Sequence, residues 1–355
     1  MSNKVTVTLA LPVADELQTL IRAVDKRLQV TALTRAQRRV YRGGRPLWAG
    51  YLEPVQPDDE SEEEARQALE PILRGTEVIL TNPIVPDDII SSAPALKWLQ
   101  LTSAGVDRLL DAPVVHSHVT VTTASGIHAV PISEYVIGAM LAFAKGFPRA
   151  MRAQRERAWR PYWPEELEQK TVGILGMGAI GARVALLCRA MGMRVLAMRR
   201  SVEHRMTGDG TGDPSVDEML PPSELAYLLR ESDYVVAAVP LTGETRGMIG
   251  EEQLRAMKPS AVIINIARGA IIDEQALVRA LREGWIAGAA LDVFQPEPLP
   301  AESELWALEN VILTPHISGG TPRYMERAVE LFCENLQRYL AGKPLRNVVD
   351  PARGY

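Results

Sequence analysis

Three polar side chains in the second half of the chain each follow a predicted strand. Arg268 lies in NIARGAIIDE, Glu297 in ALDVFQPEP and His316 in TPHISGG. Hydride transfer to a 2-keto acid needs a cation for the carboxylate and carbonyl oxygens, and a proton donor for the developing alkoxide. Arg268 and His316 have these chemistries. A carboxylate such as Glu297 beside the imidazole favours its charged form and fixes its orientation.

A glycine-rich segment, TVGILGMGAIGARV, lies between an apolar strand and a helix-forming sequence, which is the context of a dinucleotide-binding loop. Gly176 permits a tight turn, Gly178 lets the backbone approach a pyrophosphate, and Gly181 lets helix and strand pack closely. The helix N-terminus, with Ala179 and Ile180, offers N–H groups and a positive dipole to phosphates. We therefore predict a nicotinamide dinucleotide on this loop. A glycine-rich turn without a ligand is the structural alternative.

The next predicted strand, VLAM, leads into Arg199, Arg200 and Ser201. An NAD-preferring site usually carries Asp or Glu here to accept hydrogen bonds from the ribose hydroxyls. Guanidinium groups instead suit the 2′-phosphate of the adenosine, through charge-assisted contacts. The sequence thus favours NADP(H), with NAD(H) also possible. The alternative is that the two arginines only cover an exposed strand end.

The polar side chains at the strand ends also have structural alternatives when each is considered alone. Arg268 is compatible with a helix cap, Glu297 with an exposed turn between prolines, and His316 with a buried, hydrogen-bonded histidine. The carboxyl ends of parallel strands face the ligand crevice of an open α/β sheet. Because all three occur at such ends, downstream of a dinucleotide loop, their joint occurrence favours the catalytic interpretation.

The elements that must position these residues form two series of short apolar or β-branched segments, separated by helix-like segments. The first predicted strands are 5–11, 28–33, 76–81, 96–102 and 118–123. The second series is 172–175, 195–198, 234–238, 262–266, 287–291 and 311–313. This alternation is typical of parallel sheets with crossover helices. The predicted fold class is α/β with two Rossmann-like domains, the second a doubly wound sheet of six strands.

The predicted domain boundaries follow from a break in this alternation near Ser125. Residues 132–144 are apolar and helical in pattern, and the basic residues of 149–160 continue at helical period, which indicates one long inter-domain helix. Residues 322–340 form an amphipathic helix that closes the first domain, which otherwise lacks one. We predict a discontinuous substrate domain, 1–124 and 319–355, and an inserted dinucleotide-binding domain, 125–318.

Composition and charge restrict the class of protein. A chain of 355 residues suits two domains, and its 46% hydrophobic and 23% charged residues are ordinary for a globular protein. The net charge of −5 argues against a nucleic-acid partner. Cys188 and Cys333 lack metal-ligand or redox spacing, so neither a metal site nor a disulfide is predicted. No secretory or bilayer-spanning pattern is recognised, so we expect the cytoplasm and no membrane partner.

Residues 34–64 combine an arginine-rich stretch with an acidic run. These opposite charges predict a solvated insertion between the second and third strands. Trp48 and Tyr51 within it either reach the substrate cleft or pack in an ordinary way. Trp159 and Trp163 match no motif.

The motifs resemble those of the D-isomer-specific 2-hydroxyacid dehydrogenases over nearly the whole chain. In that family an Arg in N-x-A-R-G, a Glu in D-V-F-x-x-E-P and a His in P-H-x-x-G form the active site, and these correspond to Arg268, Glu297 and His316. The resemblance implies a discontinuous flavodoxin-like substrate domain, an inserted dinucleotide domain and a cleft between them. It also implies homodimers joined through the inserted domain, with 132–145 as a candidate interface helix. A helix buried within one chain has the same pattern.

The resemblance further implies roles for residues that the spacing alone does not explain. Asp292 and the Ile266 backbone carbonyl would bind the nicotinamide carboxamide, and Ala267 is a further expected cofactor contact. Ala104 and Gly105 would cradle the substrate carboxylate with their N–H groups. Further contacts along the cofactor are expected from Val239, Pro240 and Thr245.

The expected activity is reduction of a small 2-keto acid, such as glyoxylate or hydroxypyruvate, to the D-2-hydroxy acid with NAD(P)H. One alternative is a dinucleotide-sensing binding protein, because corepressors that resemble these dehydrogenases keep the same three residues. Another is a relative that acts on formate or phosphite. Glu297 favours keto-acid chemistry over formate oxidation, because formate dehydrogenases of this type do not rely on Glu at that position.

Overall fold

The computed structural model describes residues 4–45, 60–106 and 109–352. Trp48 and Tyr51 lie outside the described residues. The chain divides into two compact units, which we call unit 1 (Met1–Ile127 with Gly320–Tyr355) and unit 2 (His128–Gly319). Unit 1 is discontinuous in sequence. The roles of the two units, one for substrate and one for dinucleotide, stay predictions at this point.

In the described part of unit 1, five parallel strands form a sheet in the order β2-β1-β3-β4-β5. They are β1 (Val5–Leu9), β2 (Leu28–Ala32), β3 (Val78–Thr81), β4 (Trp98–Leu101) and β5 (Thr120–Thr122). The connecting helices are α1 (Asp15–Ala23), α2 (Arg35–Tyr41), α3 (Glu62–Arg74) and α4 (Ile89–Ser92), with a 3-10 helix at Pro113–His116. β3 and β4 are buried along their whole length, as expected of parallel strands that are covered on both faces.

Part of the predicted insertion at 34–64 packs into unit 1, so the prediction of a solvated segment is wrong for its first helix. Thr34 caps the N-terminus of α2: its side chain accepts the Gln37 amide, while the Gln37 side chain accepts the Thr34 amide. Ala36 and Tyr41 on this helix are buried. The apolar residues recur at helical spacing inside the charged stretch, and burial of that face outweighs the surrounding charge.

Unit 2 contains an eight-stranded sheet in the order β13-β12-β11-β10-β6-β7-β9-β8. The strands are β6 (Thr171–Leu175), β7 (Arg194–Met198), β8 (Met206–Thr207), β9 (Glu218–Leu220), β10 (Tyr234–Ala237), β11 (Val262–Asn265), β12 (Gly288–Leu291) and β13 (Val311–Leu313). The six predicted strands are present and parallel. Two short strands were not predicted: β9 runs parallel to β7, and β8 pairs antiparallel with β9 at the edge.

The described helices of unit 2 flank this sheet. They are α5 (Ala129–Ala144), α6 (Phe147–Arg155), α7 (Ala179–Ala190), α8 (Leu225–Glu231), α9 (Glu251–Ala256) and α10 (Glu274–Arg282), with 3-10 turns at Gly208–Thr211, Pro222–Glu224, Gly269–Ile271 and Glu304–Ala307. The prediction of one long helix from 132 to 160 is wrong. Gly146 adopts a left-handed φ of +66°, and α5 and α6 meet there at a 63° bend.

The last helix, α11 (Tyr324–Leu340), belongs to unit 1 and packs beside α1. Its Phe332 contacts Trp98 of β4, with 5.2 Å between ring centroids. Asn335 is fully buried, and its side-chain amide donates to Gln100 Oε1 at 3.1 Å and accepts the Arg346 amide. Apolar packing and a satisfied polar network thus join this helix to the sheet.

Neither unit shows a single membrane-spanning helix among residues 4–45, 60–106 and 109–352. α5 and α6 reach the length and apolar composition of a span only when they are counted together across their bend. Cys188 and Cys333 are both free thiols. Burial raises the pKa of Cys188 to about 12.

Candidate active site

The sheet of unit 2 brings the carboxyl ends of seven parallel strands to one edge, and six of these ends lead into predicted site residues. The predicted site residues of this unit follow those ends: Gly176, Gly178, Ala179, Ile180 and Gly181 after β6; Arg199, Arg200 and Ser201 after β7; Val239, Pro240 and Thr245 after β10; Ile266, Ala267 and Arg268 after β11; Asp292 and Glu297 after β12; and His316 after β13. The strand order changes direction between β6 and β10, which is where ligands bind in sheets of this kind.

The glycine loop has the geometry that a bound dinucleotide requires. Gly176 has a φ of +103°, and a Cβ there would lie 2.7 Å from the Ala238 carbonyl oxygen. A Cβ on Gly181 would overlap the Gly176 carbonyl oxygen, so helix and loop pack in direct contact. Gly178 is exposed, caps α7, and has no atom within 4 Å of the Cβ position. This open space at a helix N-terminus fits a pyrophosphate.

Two loops flank the glycine loop. Arg199 and Arg200 are exposed at the end of β7, where Arg199 donates its amide to Leu220. After β10, the Thr245 hydroxyl donates to the Pro240 carbonyl at 2.6 Å and accepts the Thr242 amide at 2.8 Å. Thr245 therefore fixes the turn beside the predicted cofactor path.

The turn that carries Arg268 is stabilised by hydrogen bonds to a side chain of the same turn. The Asn265 side chain donates to the Arg268 carbonyl at 2.9 Å and accepts the Ala267 amide at 3.1 Å. A Cβ on Gly269 would overlap the backbone of Phe294. The Arg268 turn therefore packs directly against the segment that leads to Glu297, three residues beyond Phe294.

Glu297 and His316 are in direct contact. His316 Nδ1 lies 2.9 Å from Glu297 Oε2 and 3.1 Å from Oε1. Glu297 Oε1 also accepts the Phe294 amide at 3.1 Å. Both side chains are mostly buried: His316 is 29% exposed and Glu297 is 15% exposed. The carboxylate sets the ring orientation and makes Nδ1 a donor.

The backbone after β13 forms a tight turn around His316. His316 has a left-handed φ of +54°, and its amide donates to the Thr314 carbonyl at 2.9 Å. Asp292 is fully buried and accepts the amides of Ile317 at 2.8 Å and Ser318 at 2.9 Å. Its predicted contact with the nicotinamide carboxamide stays a prediction.

The predicted carboxylate cradle lies in unit 1, just after β4. The Ser103 hydroxyl donates to the Gly105 carbonyl at 2.9 Å, and the Ser103 carbonyl accepts the Ala124 amide. These bonds fold the loop that contains Ala104 and Gly105, both of which are partly exposed.

Three supporting residues were missed at the sequence level: Asn265, Thr314 and Tyr135. The Tyr135 hydroxyl lies 2.8 Å from Thr314 Oγ1, and Thr314 Oγ1 donates to Asp292 Oδ1 at 2.6 Å. Tyr135 lies in the apolar helix α5, where an isolated tyrosine resembles ordinary core. Asn265 and Thr314 stand three and two residues before Arg268 and His316, and that proximity was the available signal.

Comparison with known proteins places the chain in a family. Residues 137–318 match the family model described as D-isomer specific 2-hydroxyacid dehydrogenase, NAD binding domain. Glyoxylate reductase of Korarchaeum cryptofilum (strain OPF8) is 36% identical over 281 residues, which is 77% of this chain and 81% of the relative. The chain belongs to the D-isomer specific 2-hydroxyacid dehydrogenase family.

Solved structures of family members resemble this dehydrogenase over their whole length. The D-isomer specific 2-hydroxyacid dehydrogenase from Xanthobacter autotrophicus Py2, in complex with NADPH and MES, has a TM-score of 0.77 and 30% identity and covers 100% of both chains. The NADPH-dependent glyoxylate/hydroxypyruvate reductase from Sinorhizobium meliloti, in complex with NADP and sulfate, has a TM-score of 0.77 and 26% identity over 99% of this chain and 100% of the other.

The predicted family and fold class are thereby confirmed. This D-2-hydroxyacid dehydrogenase is an oxidoreductase with a Rossmann-like fold that binds a nicotinamide dinucleotide. In the described part of the chain, no cluster of three or more His, Cys, Asp or Glu side chains is placed to hold a metal ion.

Proposed function

We propose that this dehydrogenase reduces a small 2-keto acid of the glyoxylate or hydroxypyruvate type to the D-2-hydroxy acid, with NADPH as the preferred donor. The observation that carries the proposal is the contact between His316 Nδ1 and the Glu297 carboxylate. That contact gives a proton donor a fixed orientation at the ligand-binding edge of the sheet.

His316 is the proposed general acid. Glu297 holds Nδ1 by a hydrogen bond, so the proton for the substrate leaves from Nε2. The carbonyl oxygen receives this proton as its negative charge develops. When bound, the reduced nicotinamide supplies the hydride for the carbonyl carbon.

Arg268 is the proposed cation for the substrate carboxylate and carbonyl oxygens. Support comes from its place after β11, where the Gly269 contact with Phe294 holds its turn beside the segment that carries Glu297. In unit 1, the amides of Ala104 and Gly105 are the proposed cradle for the carboxylate. Guanidinium groups and backbone N–H groups are each suited to bind a carboxylate.

The preferred cofactor is proposed to be NADP(H). Support comes from the exposed Arg199 and Arg200 after β7, which suit a 2′-phosphate, and from the NADPH in the Xanthobacter relative. The further proposed cofactor contacts are Gly176, Gly178, Ala179, Ile180, Gly181, Ser201, Val239, Pro240, Thr245, Ile266, Ala267 and Asp292. Residues 125–318 would then form the dinucleotide-binding domain, and 1–124 with 319–355 the substrate domain.

We also propose a cytoplasmic homodimer joined through unit 2. Support comes from the exposed apolar side chains of α6 and the segment after it. Phe147 and Met151 are 53% and 56% exposed, and Trp159 and Trp163 are 94% and 96% exposed. So many large apolar groups within one short stretch are typical of a protein interface. For the cytoplasm, the free thiols Cys188 and Cys333 suit a reducing compartment.

Initial-rate measurements test the proposed reaction. NADPH and NADH are each assayed against glyoxylate, hydroxypyruvate, pyruvate and bulkier keto acids, and the chirality of the product is determined. We expect the highest kcat/KM with NADPH and a two- or three-carbon keto acid. His316→Ala should lower kcat by about two to four orders of magnitude, whereas the matched control His118→Ala, at an exposed position of unit 1, should not.

Two outcomes would overturn the proposal. Undiminished turnover in His316→Ala would remove His316 as the acid. Tight dinucleotide binding without oxidation of NADPH by any keto acid would instead favour the dinucleotide-sensing alternative.

A further inference from the structure

We propose that Tyr135 is a positioning residue of this active site, which fixes the backbone around His316 through the side chains of Thr314 and Asp292. The inference rests on the proposed role of His316 as general acid. All of the residues involved lie in unit 2.

The contacts form one continuous chain from α5 to the turn after β13. The Tyr135 hydroxyl lies 2.8 Å from Thr314 Oγ1, and Thr314 Oγ1 lies 2.6 Å from Asp292 Oδ1. Because the carboxylate only accepts hydrogen bonds, Thr314 must donate to Asp292. The single Thr314 proton is then committed, so Tyr135 donates to Thr314. All donors in the chain therefore point toward the carboxylate.

Asp292 connects these side-chain hydrogen bonds to the backbone after His316. Its Oδ1 accepts the Ile317 amide at 2.8 Å and its Oδ2 accepts the Ser318 amide at 2.9 Å. The two amides come directly after His316, whose φ of +54° is unfavourable for a residue with a Cβ. A buried carboxylate that holds two successive amides keeps the chain in this conformation, which directs the imidazole toward Glu297.

The Tyr135 hydroxyl is suited to a constant role as donor. Burial raises the pKa of Tyr135 to about 12, and the negative charge of Asp292 acts in the same direction. The phenol therefore remains protonated at every pH at which such an enzyme operates. Hydrogen bonds arranged in one direction also polarise and strengthen one another, so the loss of the terminal donor weakens each later bond.

The test combines amide hydrogen exchange with steady-state kinetics. In Tyr135→Phe, we expect exchange at Ile317 and Ser318 to become about threefold faster or more in the enzyme without ligand. We expect kcat to fall about three- to tenfold, the factor given by one hydrogen bond between neutral groups, with the KM for NADPH within about twofold. The control is Tyr227→Phe, which removes a hydroxyl bonded to Arg194 and Glu218 in the same unit.

Substitutions at Thr314 decide whether Tyr135 acts through this hydroxyl. Thr314→Val keeps the shape of the side chain and removes the hydroxyl that links Tyr135 to Asp292. It should reproduce the faster amide exchange and the lower kcat at equal or greater size. Thr314→Ser restores the hydroxyl and should return exchange and kcat toward wild type. In the Thr314→Val background, Tyr135→Phe should have no further effect, since its only route has been removed.

Defined results would overturn the inference. Independent, multiplicative effects of Tyr135→Phe and Thr314→Val on kcat would show that Tyr135 acts by another route. Unchanged exchange at Ile317 and Ser318 in Tyr135→Phe, or faster exchange with an unaltered kcat, would show that it does not position His316. Failure of the proposed function has a different signature, namely undiminished turnover in His316→Ala, and the exchange measurement does not depend on turnover.

Discussion

Arg199 and Arg200 are the residues to which we attribute the proposed preference between two closely related cofactors. Both residues are exposed at the end of β7, the strand that pairs with β6 ahead of the glycine loop, and the adenosine ribose of a bound dinucleotide is expected at that strand end. Hydrogen bonds to a charged group are stronger than those between neutral groups. The proposed preference for NADP(H) therefore rests on the interaction of these two side chains with one phosphate.

Replacement of both arginines by alanine should reverse the preference. We expect kcat/KM for NADPH to fall about ten- to hundredfold, which corresponds to lost charge-assisted hydrogen bonds. The value for NADH should change less than about twofold, because NADH lacks the phosphate. Initial rates with both cofactors measure this difference. Arg189→Ala, which removes an ion pair with Asp217 elsewhere in unit 2, is the control. An equal loss for both cofactors would contradict the assignment.

The sequence pattern indicated the charged residues proposed for catalysis, but not the residues that position them through hydrogen bonds. Glu297 and His316 were predicted as a pair, and their contact is observed. Tyr135 was missed, because its function depends on a Thr314 hydroxyl that lies far away along the chain. Neither residue type, alone in an apolar segment, indicates a partner, so only the three-dimensional arrangement reveals the relay.

At the scale of elements, the turn from β6 into α7 gives two glycines different roles. A Cβ on Gly181 would overlap the Gly176 carbonyl oxygen, whereas a Cβ on Gly178 would meet no atom within 4 Å. Gly178 also has a φ of −82°, which alanine adopts without strain. Gly181 is thus required by packing, whereas for Gly178 only the proposed ligand contact requires glycine.

Two alanine substitutions should separate packing from binding. Gly178→Ala should leave the free energy of unfolding within about 0.5 kcal/mol and weaken dinucleotide binding at least about tenfold, because its methyl group lies where the pyrophosphate approaches. Gly181→Ala should lower the free energy of unfolding by about 1–3 kcal/mol, as overpacking does. Urea denaturation and calorimetric titration with NADPH measure the two effects. Undiminished binding by Gly178→Ala would contradict the proposed ligand site.

Strands and helices were predicted correctly where the local sequence alone determines the secondary structure. Buried parallel strands such as β6 and β10 are continuous apolar runs, and they were predicted to within one residue at each end. The break between α5 and α6 was missed because one residue, Gly146, enters a left-handed conformation inside a helical pattern. The short edge strands β8 and β9 depend on pairing with neighbours, which local sequence does not encode.

At the scale of the whole molecule, buried tyrosines limit stability in alkali. Burial raises the pKa of Tyr234 to about 12, and the charges of Asp233 and Glu165 act in the same direction. An unfolded chain ionises tyrosine with a pKa of about 10. The unfolded state therefore loses its proton first, and the stabilisation present below pH ~10 is lost as the pH rises through the folded-state value.

The free energy of unfolding should accordingly decline between pH ~10 and ~12, with Tyr234 contributing up to about 1.4 kcal/mol per pH unit. Urea denaturation at successive pH values measures this decline. Tyr234→Phe should reduce its slope, since phenylalanine has no proton to lose. Parallel pH curves for the two proteins would show that Tyr234 does not contribute.

The proposed dimer makes a prediction of its own at this scale. Trp159 and Trp163 are almost fully exposed in the single chain, and buried tryptophans often dominate the energy of an interface. Replacement of both by serine should raise the dimer dissociation constant at least about hundredfold, as measured by sedimentation equilibrium. Trp306→Ser, at a tryptophan that is 55% exposed, is the control. A wild-type protein that sediments as a monomer would contradict the proposal.

The discontinuity of unit 1 has a consequence for how the protein is made. The strands of unit 1 precede unit 2 in the chain, whereas α11 follows it and supplies Val329, Phe332 and Leu336 to the core around Trp98. During synthesis on the ribosome, this apolar face of the first sheet therefore stays exposed until all of unit 2 and then α11 have been made. Unit 2, which is continuous, is able to finish folding first. Nascent chains of intermediate length are consequently those that most need a chaperone.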